Sequence, residues 1–100
     1  MNIRAHIESS TLTVLPEGRL DTSAAPQLEE ELKAHLEGVR ELIMDLGGAE
    51  YISSAGLRVL LSAHKAMKKN NGSMKIINAN SAVMDVLEVT GFSGILNIQQ

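Results

Sequence analysis

The passage from Leu42 to Leu61 most constrains what this chain can fold into. It opens with the apolar run Leu42-Ile43-Met44, passes Asp45, breaks at Gly47-Gly48 and reaches two serines, Ser53 and Ser54. Beyond them Leu57, Leu60, Leu61, His64 and Met67 recur at helical spacing and share one face. A short continuous apolar run followed by an amphipathic helix reads as a central parallel strand, covered on both faces, with its crossover helix. That unit points to an α/β fold.

The rest of the chain repeats the pattern. Ile3–Ile7 and Thr11–Leu15 alternate, with a turn at Glu8–Ser10, and read as an antiparallel hairpin. Pro16 is expected to end that ladder or to lie on an edge. Thr22 or Ser23 caps a first helix, with Pro26 in its first turn and Ala25, Leu28, Leu32, His35 and Leu36 inward. Gly38 stops it. Val39–Leu46 is the central strand. The second helix starts at Ser53 or Ser54 and runs to about Asn70, where Asn71-Gly72 stops it. Ser73–Asn78 is a strand. Asn80 or Ser81 caps a third helix with Val83, Val86, Leu87 and Thr90 inward, Gly91 ends it, and Ile95–Ile98 is a last strand. The order is β-β-α-β-α-β-α-β, a mixed and mostly parallel sheet of four to five strands with three to four helices. Residues 1–100 are read as a single domain.

Composition removes several classes of function. The net charge is −3 with nine basic residues and two aromatic ones, which argues against a nucleic-acid surface. There is no cysteine, so thiolate chemistry is excluded. No apolar run is long enough for a membrane span, and the N-terminus lacks a signal-peptide stretch, so the expected location is cytoplasmic. His6, His35 and His64 share no metal-ligand spacing. Neither a P-loop nor a GxGxxG pattern occurs. A nucleophile elbow around Ser54 fails because Ile52 stands where its first glycine belongs. No catalytic, cofactor-binding or metal-ligating residue is assigned.

The two serines remain. A serine at a helix start is a cap in one reading and an anion or phosphate site in the other. Gly56 in the first helical turn raises a similar choice. Either something outside approaches the backbone there, or the helix packs tightly against its neighbour. Asp21, ahead of the first helix, reads as a helix-terminal acid.

Tyr51–Leu61, after Ile43–Leu46, resembles the STAS-domain family, in particular the bacterial anti-sigma factor antagonists. Gly18–Asp21 is similar to that family's Gly-x-Leu-Asp signature, and Ser81–Phe92 to its third helix and following turn. The resemblance spans nearly the whole chain and implies the STAS fold. It also implies a function: the unphosphorylated antagonist binds an anti-sigma factor that is a serine kinase of the GHKL type, and releases the sigma factor. Phosphorylation of one serine ends the complex, and a serine phosphatase resets it. That serine aligns with Ser54. Ser53 stands where many antagonists have Asp, which leaves Ser53 as the second candidate acceptor. The implied partner surface is Asp21, Thr22, Ser53, Ser54, Ala55, Gly56, Leu57 and Arg58. The expected state is a monomer or weak dimer. A second reading is an unphosphorylated STAS subunit docked on a transporter or other signalling assembly.

Overall fold

The computed structural model describes residues 1–99. The strands are β1 (Asn2–Glu8), β2 (Thr11–Leu20), β3 (Glu41–Asp45), β4 (Ala49–Ile52), β5 (Ser73–Ile77) and β6 (Ile98–Gln99). The helices are α1 (Ala25–His35), α2 (Ser54–Lys69) and α3 (Ser81–Val89), with a short 3-10 turn at Phe92–Gly94. The main sheet runs β1-β2-β3-β5-β6, and β4 pairs separately with β2. β1 is antiparallel to β2, and every other pairing is parallel. The hairpin, the central strand and the three helices lie where sequence patterning puts them.

Burial alternates strictly in the three central strands. Leu12, Val14, Leu42, Met44, Met74 and Ile76 are buried, whereas Thr13, Ile43 and Lys75 between them are half-exposed. The central strand is therefore covered on one face, not on both as expected. Strand order gives the reason. Each crossover moves the chain the same way across the sheet. Crossovers of one hand then place all their helices on one side. Leu28 and Leu32 of α1, Leu60 and Met67 of α2, and Val83 and Leu87 of α3 close the core over that side.

Three further expectations are corrected. Pro16 neither ends β2 nor lies at its edge: the strand continues to Leu20, with Pro16 buried opposite Ile3. β2 pairs with β3 only through Val14 and with β4 only from Gly18. Residues two apart on a strand aim their N–H groups to the same side. Gly18 N–H donates to Gly48 O at 2.9 Å, so the Pro16 nitrogen faces the gap between β3 and β4, where no acceptor waits. The extended β2 then gives β4 a partner, which raises the strand count among the described residues to six. The last strand is also shorter than expected, because Phe92–Gly94 forms a turn and Ile95–Asn97 leads into β6.

Candidate functional site

The parallel ends of β2 and β4 build the floor of the site. Arg19 pairs with Tyr51 and Leu20 with Ile52. Ser53 follows directly, and its N–H donates to Leu20 O at 2.9 Å. Its backbone is extended (φ −93°, ψ 173°), and its Oγ accepts from Gly56 N–H at 3.2 Å. Ser53 O accepts from Leu57 N–H at 2.9 Å, the first bond of the helix. Ser53 is thus the N-cap of α2, which satisfies one of the helix's free donors. Ser54 is the first residue of α2, exposed, and its hydroxyl has no hydrogen-bond partner among the described residues.

Gly56 is buried because nothing larger fits. A Cβ there would meet Ile52 Cγ1, Leu20 Cγ and Leu20 O, each at 2.9 Å. Of the two readings of this glycine, tight packing is the one the structure displays. The helix start sits directly on the ends of β2 and β4, and Leu57 is buried beside it.

Asp21 ends β2 and opens the turn into α1. Its carboxylate accepts from Ala24 N–H at 3.0 Å, from the Ser23 hydroxyl at 3.0 Å and from Ser23 N–H at 3.1 Å. These bonds favour the charged form, the Ala24 bond most, and lower its pKa below the ordinary carboxylate value. Thr22 and Ser23 are therefore not the caps of the first helix. Asp21 instead caps the turn over Thr22–Ala24 that leads into α1, and its O also accepts from Ala25 N–H at 2.9 Å. Ala24, at the helix boundary, makes no side-chain cap bond.

The starts of α1 and α2 lie side by side across a groove. Thr22, Ala25 and Pro26 line one wall, and Ala55, Arg58 and Val59 line the other. Asp21, Thr22, Ser53, Ser54, Ala55 and Arg58 thus come together at one end of the sheet, with Gly56 and Leu57 in the core beneath them. One pair escaped sequence reasoning. The guanidinium of Arg19 lies 4.6 Å from the ring centroid of Tyr51, on the side of β2 and β4 opposite the buried Leu20 and Ile52. The available signal was the apolar–polar alternation of Arg19-Leu20 and Tyr51-Ile52, legible once those strands are paired.

Among the described residues no group of histidines and acids could hold a metal ion, and no helix is long and apolar enough to cross a membrane. The fold is thus a one-sided, mostly parallel sheet with the exposed start of α2 at its end. The chain belongs to the STAS domain family, whose model matches residues 2–100. It is 37% identical over 83 residues to the BtrV protein of Bordetella bronchiseptica, covering 82% of this chain and 72% of that one. It is 30% identical over 100 residues to the anti-sigma-B factor antagonist of Bacillus subtilis, covering 98% of this chain and 92% of that one. Among solved structures, a Thermotoga maritima chain matches with TM-score 0.91 at 20% identity, covering 98% of this chain and 86% of that one. The Bacillus protein SpoIIAA matches at 15% identity in its unphosphorylated form (TM-score 0.79, 99% and 88% covered) and its phosphorylated form (TM-score 0.77, 99% and 92% covered).

Proposed function

We propose that this chain is an anti-sigma factor antagonist controlled by phosphorylation of Ser54. In the unphosphorylated form it binds an anti-sigma factor that is also a GHKL-type serine kinase, and the sigma factor is released. The kinase phosphorylates Ser54 and ends the complex, and a serine phosphatase restores it. In this reading residues 1–100 are one domain, the exchange takes place in the cytoplasm, and the chain is a substrate and not a catalyst.

The observation that carries the reading is the division of labour between the two serines. The Ser53 hydroxyl is engaged in the cap, while the Ser54 hydroxyl is exposed and has no hydrogen-bond partner among the described residues. The name of the Bacillus subtilis relative supports the antagonist role. The likeness to SpoIIAA both with and without its phosphate supports a switch that leaves the fold alone.

The physics is local. A phosphate on Ser54 adds about −1.5 to −2 charges at the positive end of α2, which tolerates them. A partner fitted against Ser54, Ala55 and Thr22 must strip water from that dianion or oppose it with its own acids. Arg58, one turn along, is exposed on the same wall of the groove and belongs to the proposed partner surface. Incubation with the cognate kinase and ATP, followed by mass spectrometry, tests the acceptor. One phosphate on Ser54 is expected. A phosphate on Ser53, or on neither serine, overturns the assignment.

A further inference from the structure

The outer edge of β1 is open. β1 pairs with β2 along its whole length, and among the described residues no strand pairs its other side. Natural edges are blunted by proline, by a bulge, by an inward-pointing charge or by charged side chains along the strand. β1 has only the last of these, and its charges, Arg4 and Glu8, lie on the face away from the helices. Its seven register pairs, Asn2↔Glu17 to Glu8↔Thr11, run without a break. Arg4, His6 and Glu8 face the same side as Leu15, Thr13 and Thr11, away from the helices.

We propose that β1 pairs antiparallel with β1 of a second copy of this chain, Ala5 facing the partner's Ala5. The turn fixes which backbone groups are free. Glu8 and Thr11 flank a two-residue turn, where Ser9 takes φ 57°, and so form the hydrogen-bonded pair that closes it. Hydrogen-bonded and non-bonded pairs alternate along an antiparallel ladder. His6 and Arg4 therefore bond β2, while Ile3, Ala5 and Ile7 aim their N–H and C=O groups outward. Pro16, which has no N–H to give, stands opposite Ile3, at a non-bonded pair as this parity requires.

A two-fold pairing centred on Ala5 uses all six outward groups. It sets Ile3 against the partner's Ile7 on the helix side of the sheet. Ile7 is now 50% exposed there and gains cover. On the other side Asn2 meets the partner's Glu8. Arg4, whose charge is already met by Glu17 at 3.2 Å, faces the partner's His6. A pairing centred on His6 joins Arg4 to the partner's Glu8, but it uses four of the outward groups and exposes Ile3. One strand pair buries less than the roughly 1,200 Å² of a stable interface, so the dimer is weak and depends on concentration.

The chain has no cysteine, so single cysteines report the register. A hydrogen-bonded antiparallel pair holds its Cα atoms about 5.5 Å apart, within disulfide range. Under mild oxidation Ala5→Cys is expected to form a linked dimer on the order of tenfold faster than Ser62→Cys, an exposed control on α2. Sedimentation equilibrium should show a mass that rises with concentration. Ala5→Pro removes one outward N–H without breaking a bond to β2, and should abolish the rise. Ile7→Lys, a change at an exposed side chain, should abolish it too while circular dichroism stays native. Equal cross-linking of Ala5→Cys and Ser62→Cys, or a mass rise that persists in Ile7→Lys, overturns the pairing. Faster linking by His6→Cys than by Ala5→Cys overturns the register.

Discussion

The two helices that open onto the site begin in opposite ways. α1 is entered through a turn capped by a carboxylate: Asp21 accepts three hydrogen bonds from Ser23 and Ala24 and holds its charge there. α2 starts on a hydroxyl, and its first turn carries no acid. Both ends present free N–H groups and positive dipole charge. One is already matched by an anion, and the other is left uncharged. A dianion added at this end of the sheet therefore changes the surface at α2. The neutral start is what a phosphate can alter, and the acidic one keeps the neighbouring turn fixed while it does so.

Experiments that break this contrast should differ in size. The largest effect is expected from charging the neutral start. Phosphorylated Ser54, or Ser54→Asp as its weaker mimic, should bind the cognate kinase less tightly. For the phosphate the loss should be roughly 3–4 kcal/mol, about a few hundred-fold, by titration calorimetry. Ser54→Ala should bind and stay bound in the presence of ATP. Next comes the floor under α2. Gly56→Ala forces a methyl against Leu20 and Ile52, and should cost about 1–3 kcal/mol in urea unfolding. An unchanged midpoint would mean that the helix start is looser than its contacts imply.

Removing the cap is milder. Ser53→Ala should lower stability by about 1 kcal/mol and leave phosphate transfer to Ser54 intact. If transfer disappears as well, the two serines do not divide their roles. The smallest effect belongs to Asp21. Its folded pKa lies below the unfolded value, so its contribution is present above about pH 4 and fades as pH falls through the folded pKa. Thermal melts of Asp21→Asn and the parent should differ near neutral pH and converge in acid. A gap that persists at about pH 2 would assign the effect to something other than the charge.

Much of the architecture was legible because periodicity carries it. Thr11–Leu15 alternates and α2 repeats at helical spacing, and both lie where those patterns place them. β4 was not legible. Ala49-Glu50-Tyr51-Ile52 is too short for a period, and its partner is the part of β2 beyond Pro16, a residue that reads as a stop. The coverage of the sheet depends on strand order, which no local pattern encodes. At the site, Ser53 and Ser54 were found by type and position. Their separate geometries required the loop to be folded. Thr22 and Ser23 do not cap α1, because the Asp21 carboxylate at the end of the strand reaches N–H groups two and three residues on and caps the turn ahead of the helix.

The ladder between Gly18–Leu20 and Ala49–Ile52 carries a mechanical consequence. β4 borrows a single strand neighbour, and the serine-bearing turn hangs from its end. The β4 side chains Ala49 and Ile52 are buried and Asn80 donates to Ala49 O, but with one strand neighbour its backbone ladder can open before the wide sheet does. The Tyr51 amide proton, which faces β2, should accordingly trade with deuterium sooner than those of Ile43 and Met44 in the lone chain. Clamping by a bound protein should slow this opening and leave the sheet's own clock unchanged.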